Sequence, residues 1–162
     1  MVDDRDQVQV VAQPLVVQAE LAAALATDTR TGAVVTFVGL MRDFNQGDAV
    51  ASMTLEHYPG MTERALQAIV DEARTRWTLH AVRVVHRVGR LAPGDPIVVV
   101  AVGAAHRAEA FAACEFLIDY LKTRAPFWKR EALDGGRERW VDARDSDATA
   151  AERWTRRREP GP

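Results

Sequence analysis

The stretch that decides the fold runs from Val82 to Val102 and reads VRVVHRVGRLAPGDPIVVVAV. It contains two runs rich in β-branched residues, at 82–88 and 97–102, and such runs favour β-strands. Residues 92–95 between them read Ala-Pro-Gly-Asp, and neighbouring proline and glycine are typical of a turn. The stretch therefore predicts two strands joined by a turn.

Helical patterns flank this pair of strands on both sides. Apolar residues recur at three- and four-residue spacing from Leu66 to Trp77 and again from Phe111 to Leu121, which is typical of amphipathic helices. Shorter elements are predicted as a helix at 17–26, as strands at 8–12, 33–38 and 49–57, and as a hairpin at 127–132 and 137–142. Together these elements predict one α+β domain with a mixed, mainly antiparallel sheet and two long helices.

The composition excludes several classes of protein. The chain has 162 residues, of which 48% are hydrophobic and 27% charged, so it is expected to be globular rather than disordered. Its longest apolar stretch, residues 97–105, is less than half of the roughly 20 residues that a membrane-spanning helix needs. A glycine-rich phosphate loop is absent, which argues against Rossmann and P-loop folds. The acidic first residues differ from a secretory signal, so we expect a cytoplasmic protein.

Charge divides the chain unevenly. The net charge is −2, yet residues 1–121 carry −5 and residues 122–158 carry +4. A basic segment of this kind favours an anionic ligand or partner. Because no linker interrupts the chain, we expect one domain at 1–147 followed by a charged, partly disordered tail at 148–162.

Lysine is scarce in this sequence. The 21 basic residues are 19 arginines and two lysines, Lys122 and Lys129, which lie seven positions apart. A desolvated lysine can lose its proton and act as a base or nucleophile, whereas arginine stays charged. The two lysines therefore suggest a catalytic role. The alternative is a compositional bias toward arginine that happens to leave two lysines.

Four further polar or charged residues could bind an anion, and one aromatic residue could form a pocket wall. His106 and Arg107 follow a strand where a helix begins, and helix N-termini attract anions. Arg42 opens a polar turn after the strand that contains Phe37, and Arg144 lies just past the predicted hairpin, where it could reach a second subunit. Taken singly, each has a plain alternative as a solvated side chain or a core aromatic.

The remaining histidines and the cysteine favour structural interpretations. His80 and His86 lie in or beside a strand with no partner at metal-ligand spacing, so each is expected to be a satisfied or an exposed histidine. Cys114, the one cysteine, falls on the apolar stripe of a helix and is interpreted as a core residue. No metal and no other cofactor is expected.

Six segments together carry a resemblance to a known family. They are GAVVTFVG at 32–39 with Arg42, LEHYPGM at 55–61, HRVG at 86–89, AHR at 105–107, DYLKTRAPFWKRE at 119–131 and RWVDAR at 139–144. The chain resembles the large, catalytic subunits of molybdopterin synthases over about residues 8–147. The segment at 119–131, which holds both lysines, is long and specific.

The resemblance implies an α/β-hammerhead-like fold and a sulfurtransferase activity. Enzymes of this family convert cyclic pyranopterin monophosphate to molybdopterin by installing two sulfurs as a dithiolene, a step of molybdenum cofactor biosynthesis. The sulfur comes from a small ubiquitin-like subunit whose C-terminal Gly-Gly ends in a thiocarboxylate. The large subunit forms a homodimer within a heterotetramer.

The resemblance also implies roles for residues of this sequence. Lys122 and Lys129 fall on the catalytic lysines of the family. The substrate-binding positions fall on Arg42, His106, Arg107, Phe37 and Arg144, the last being offered across the dimer interface. The sequence differs from the family pattern at Ile118, at residues 40–41 and in the length of the hairpin around Gly135.

Two other functions compete with this expectation. The same residues could form a binding module that holds a phosphorylated metabolite without chemistry. A nucleic-acid binder using the basic C-terminal third ranks last, because aromatic residues are not interleaved with basic ones on a predicted sheet. Neither nucleic acid nor a membrane is expected as a partner.

Overall fold

The computed structural model describes residues 6–26, 29–142 and 144–156. The strands are β1 Asp6–Val11, β2 Ala33–Leu40, β3 Phe44–Asn45, β4 Asp48–His57, β5 Leu79–Arg87, β6 Gly89–Leu91, β7 Pro96–Ala104, β8 Phe127–Leu133 and β9 Glu138–Val141. The helices are α1 Val17–Leu25, α2 Met61–Arg76, α3 Arg107–Arg124 and α4 Asp145–Arg156. This mixture of strands and helices confirms the predicted α+β class.

The first sheet has the strand order β1-β5-β7-β2. Its centre is the predicted pair of β-branched strands, because β5 and β7 run antiparallel with Val84 opposite Val100. Strand β2 extends the sheet antiparallel to β7, whereas β1 pairs parallel to β5. The sheet is therefore mixed and mainly antiparallel, as predicted.

A second sheet corrects the expectation of a single one. It has the order β3-β4-β8-β9, with β6 also paired to β4. The chain leaves β5 and enters β6 at Gly89. The φ of Gly89 is 87°, a backbone conformation that residues with side chains rarely adopt. Leu55 of β4 then lies between Gly89 of β6 and Lys129 of β8. One run of sequence thus supplies strands to both sheets.

The main core lies between the first sheet and helices α2, α3 and α4. Helix α2 buries Leu66, Val70 and Ala73, which repeat at the helical spacing seen in the sequence. The rings of Trp77, Phe116 and Trp154 meet edge to face with centroids 5.4 to 5.7 Å apart. A smaller hydrophobic core includes Met53, Leu55 and Leu91, which belong to strands of the second sheet.

Helix α4 replaces most of the expected C-terminal tail. Trp154 is only 1% exposed, and its Nε1 donates a 2.7 Å hydrogen bond to Asp119 Oδ2 on α3. Arg153 also pairs with Asp119 at 2.7 Å. The charged composition after residue 147 suggested a tail, but the burial of Trp154 is enough to dock the helix on the core. Residues 157–162 of the expected tail lie outside the described residues.

No helix within the described ranges combines the length and apolar character that crossing a membrane requires.

Candidate active site

A cavity of about 260 Å³ lies where the two sheets meet the C-terminal end of α3. Five of the seven predicted site residues line it, contributed by strands, a loop, a helix and the segment before α4. They are Phe37, Arg42, Lys122, Lys129 and Arg144. Residues that lie more than 100 positions apart in the sequence are thus brought to one concave surface.

The two lysines reach the cavity from consecutive elements. Lys122 lies in the last turn of α3, and Lys129 is the third residue of β8. The chain changes direction between them at Pro126, whose carbonyl oxygen accepts a 3.1 Å hydrogen bond from Thr62 Oγ1 of α2. Thr62 is completely buried, so this bond fixes the turn that aims both amines into the cavity.

The environment of Lys129 favours its neutral form. Burial of this side chain lowers the pKa of its amine, and the positive charge of Lys122 lowers it further. Arg144 acts in the same direction, whereas the carboxylates of Asp147 and Glu131 oppose the shift without reversing it. The lowered pKa makes Lys129 better suited to accept a proton than a solvated lysine is.

A chain of hydrogen bonds holds Arg144 at the cavity. Its Nη2 donates to Asn45 Oδ1 at 3.1 Å, and Asn45 Nδ2 donates to Glu131 Oε1 at 2.7 Å. Glu131 is only 5% exposed, and its other oxygen accepts a 2.8 Å bond from Arg139 Nε. Arg139 also pairs with Asp48 at 2.8 Å. The guanidinium of Arg144 is thereby positioned by the second sheet.

Strand β2 forms part of the cavity wall. Phe37 is 37% exposed there, and Gly39 lies against Val98 of β7. A Cβ atom at Gly39 would come within 2.9 Å of Val98 Cγ1, closer than real Cβ atoms approach. Glycine at position 39 thus allows β2 to lie close against β7.

His106 and Arg107 do not line this cavity in the single chain. They lie at the start of α3, and 15 residues separate Arg107 from Lys122 along that helix. At about 1.5 Å per residue this places them about 22 Å from the lysine end. Their part in substrate binding stays a prediction.

The sequence analysis missed the other polar residues that line the cavity: Asn45, His86, Glu131, Asp142 and Asp147. His86 was interpreted as a satisfied or exposed histidine; it is buried in the cavity wall, and its Nδ1 is paired with the carbonyl oxygen of Arg87. The available signal was parity, because His86 follows the buried Val84 by two positions and so shares its face of β5. Nothing in the local sequence marks Asn45 or Glu131 as neighbours of Arg144.

The arrangement can bind an anion and move a proton. Arg42 and Arg144 offer guanidinium groups suited to phosphate oxygens, and the two lysines add positive charge. An amine with a lowered pKa beside such a site can act as a general base. The geometry thus matches a phosphorylated substrate that undergoes proton transfer.

Comparison with known sequences gives a family match over most of the chain. Residues 10–124 match the sequence model of the family described as MoaE protein. The molybdopterin synthase catalytic subunit of Escherichia coli (strain K12) is 62% identical over 130 residues, which cover 80% of this chain and 86% of that protein. That of Vibrio cholerae is 60% identical over 131 residues, covering 81% and 87%.

Solved structures agree with the sequence match. The molybdopterin biosynthesis MoaE protein from Burkholderia ambifaria superposes with a TM-score of 0.77 at 52% identity, covering 91% of this chain and 96% of that one. Molybdopterin synthase from Staphylococcus aureus superposes with a TM-score of 0.75 at 32% identity, covering 82% and 95%. With the cavity and the extent of these matches, the chain belongs to the MoaE family, that of molybdopterin synthase catalytic subunits.

Proposed function

We propose that this protein is the catalytic subunit of a molybdopterin synthase. It transfers sulfur from the C-terminal thiocarboxylate of a small ubiquitin-like subunit to cyclic pyranopterin monophosphate. Two such transfers form the dithiolene of molybdopterin, in the biosynthesis of the molybdenum cofactor. The observation that carries the proposal is that Lys122 and Lys129 line one cavity together with Arg42 and Arg144.

Each of the five predicted residues that line the cavity has a role in this reaction. Arg42 and Arg144 bind the phosphate of the substrate, and Phe37 forms the wall beside the pterin. Lys129 acts as the general base, since burial lowers its pKa. Lys122, which is exposed at the cavity mouth, supplies positive charge for the thiocarboxylate and for negative charge that develops during transfer.

The sulfur must come from a second protein. Cys114 is buried, and burial raises the pKa of its thiol to about 11, so it remains protonated and unreactive. The chain therefore has no thiolate of its own to carry sulfur to the cavity. The curated relatives are named catalytic subunits, which implies a further subunit for those enzymes.

A second copy of this chain completes the site. Since His106 and Arg107 lie about 22 Å along α3 from Lys122, we assign them to the cavity of the partner copy in a homodimer. Two small subunits then make the assembly a heterotetramer. The same family resemblance supports an α/β-hammerhead-like fold in which α2 and α3 are the two long helices.

Incubation with cyclic pyranopterin monophosphate and a thiocarboxylated small subunit tests the proposal. The expected product is molybdopterin, detected by its dithiolene sulfurs, and the matched control is the same small subunit ending in an ordinary carboxylate. Binding of the pterin phosphate with no sulfur incorporation would instead favour a non-catalytic binding module.

A further inference from the structure

His86 is a buried residue of the cavity wall that the proposed reaction does not yet use. It is 4% exposed and lies on β5, opposite Val98 of β7. Its ring stacks on that of Phe127 with centroids 3.9 Å apart and an interplanar angle of 18°. Since Phe127 opens β8, which also carries Lys129, the imidazole is held in a fixed plane beside the lysine strand.

The hydrogen bond of His86 determines where its proton lies. Its Nδ1 is 2.8 Å from the backbone carbonyl oxygen of Arg87. A carbonyl oxygen only accepts, so Nδ1 must carry the hydrogen in this bond. Burial lowers the pKa of His86 to about 3, and the charges of Lys129 and Lys122 contribute to that shift. The ring is therefore neutral at physiological pH, and Nε2 presents a lone pair.

Within the described residues, Nδ1 is the ring nitrogen of His86 that is paired, and the ring lines the cavity. Because Nδ1 is already bonded, Nε2 is the nitrogen left to accept a hydrogen bond from a ligand N–H group in the cavity. The cations of the cavity have only donor groups, so they cannot accept a hydrogen bond from a ligand N–H group. Glu131 can accept, but it is already bonded to Asn45 and Arg139. Asp142 and Asp147 also line the cavity, but as carboxylates they prefer cations to neutral N–H groups.

We propose that Nε2 of His86 accepts a hydrogen bond from a ring N–H group of the bound pterin. This inference rests on the proposed function and names the residue that reads the heterocycle, while the cations bind the phosphate. One fixed acceptor and one fixed anion site orient a rigid molecule in the cavity. His86 thus sets which edge of the pterin faces Lys129, and it discriminates against phosphorylated compounds without the donor.

Substitution of His86 by Phe separates recognition of the ring from recognition of the phosphate. Phenylalanine retains a planar ring to stack on Phe127 and removes the acceptor. Calorimetry would measure the affinity of each protein for cyclic pyranopterin monophosphate and for inorganic phosphate. We expect His86→Phe to bind the pterin phosphate about tenfold more weakly, as leaving one donor unpaired predicts, and to bind phosphate as the wild type does. Equal affinities for the pterin phosphate would overturn the inference.

A second variant restores the acceptor in a different side chain. The amide oxygen of His86→Gln can take the place of Nε2, so this variant should recover most of the preference for pterin phosphate over phosphate that His86→Phe loses. If both variants lose affinity for the two ligands alike, the residue acts only through packing and the inference is wrong.

Nitrogen NMR of the wild-type protein tests the inference without relying on a variant that folds. In protein labelled with ¹⁵N-histidine, Nε2 of His86 should resonate as an unprotonated nitrogen. Saturation with cyclic pyranopterin monophosphate should shift it toward the hydrogen-bonded position, while inorganic phosphate should not. A protonated Nε2, or no response to the pterin, would contradict the inference.

These results also distinguish the inference from the function on which it rests. If the wild-type protein fails to bind the pterin phosphate at all, the proposed function fails. If it binds and yields molybdopterin while His86→Phe binds equally well, only the role of His86 is wrong.

Discussion

Lys129 shows how one residue acquires a chemical role from its surroundings. In the sequence it is one of two lysines among 21 basic residues, and that scarcity alone left its role open. In the structure, burial and the neighbouring Lys122 lower the pKa of its amine. An arginine at the same place would be charged at every physiological pH. The proposed mechanism therefore uses Lys129 as a titratable group, a role that arginine could not fill.

Replacement of Lys129 by Arg should separate titration from charge. We expect kcat for molybdopterin formation to fall about 100-fold or more, the usual contribution of a general base, with little change in KM for the pterin phosphate. The matched control is Lys122→Arg, which keeps the charge that we assign to Lys122 and should retain more activity. Full activity of Lys129→Arg would reduce the role of Lys129 to electrostatics.

The same pKa shift has a consequence for stability. Because the pKa of Lys129 is lower in the folded protein than its ordinary value of 10.5, the folded state binds fewer protons between the two values. The contribution of Lys129 to stability is thus least favourable below the folded pKa, and it improves as the pH rises toward 10.5. The amine therefore destabilises the fold while it is charged.

Substitution of Lys129 by Met should accordingly stabilise the protein at pH 7. We expect a rise in Tm on the order of 2–4 °C, the change that about 1 kcal/mol produces in a domain of this size. Thermal unfolding followed from pH 7 to pH 10.5 should show this advantage shrinking with pH. An advantage that is constant or grows across this window would contradict the sign of the shift.

At the scale of elements, helix α4 connects the stability of the domain to the site. It begins directly after Arg144 and contributes Asp147 to the cavity, while its far end docks on α3 through Trp154. The arginine side chain is held by Asn45 of β3, so its position depends on two elements that meet only in the folded chain. Docking of α4 thus supports the cavity as well as the core.

Truncation of Trp154 should therefore destabilise the domain. Trp154→Ala removes a completely buried indole from the ring cluster and should cost about 3–5 kcal/mol of unfolding free energy, measured with urea. Trp154→Phe is the milder control, because it keeps a ring and loses mainly the bond to Asp119. If Trp154→Ala unfolds like the wild type, α4 does not anchor the domain.

Local patterns predicted the elements better than they predicted how the elements assemble. The antiparallel pair β5 and β7 followed from two β-branched runs and a turn, because those signals lie close together in the chain. The division into two sheets depends on the change of direction at Gly89, and glycine marks a bend without fixing its direction. Helix α4 was missed because charged residues surround its single buried tryptophan.

For the site, the part that the sequence could predict was the pair of lysines. The scarcity of lysine and the resemblance of residues 119–131 to a known family both pointed to Lys122 and Lys129. His86 could not be distinguished from a core histidine, because its significance lies in which ring nitrogen the fold pairs and in the cavity that the ring lines. Such a property arises from tertiary contacts and has no local signature.

At the scale of the whole molecule, the proposed roles of Lys122 and Arg107 require two copies of the chain. Helix α3 places Lys122 at one end and Arg107 at the other, about 22 Å apart, so one copy cannot bring both to its own cavity. A symmetric dimer can exchange these ends, since each contact in it occurs twice. The two active sites of the assembly would then each contain residues of both copies.

Mixing two inactive variants tests this exchange. Lys122→Ala and Arg107→Ala homodimers each lack a residue at both sites, whereas a mixed dimer has one site with neither defect. Random mixing should therefore restore about a quarter of the wild-type activity per chain. No recovery after subunit exchange, verified by native mass spectrometry, would place each site within one copy.

The most direct test of the central claim is single-turnover formation of molybdopterin by Lys122→Ala, supplied with cyclic pyranopterin monophosphate and the thiocarboxylated small subunit. Lys122 lines the cavity and its side chain is exposed, so we expect the Tm to match the wild type. The rate should fall at least 100-fold, since charge stabilisation at the reacting group is lost. Wild-type turnover by this variant would show that sulfur transfer does not take place between these two lysines.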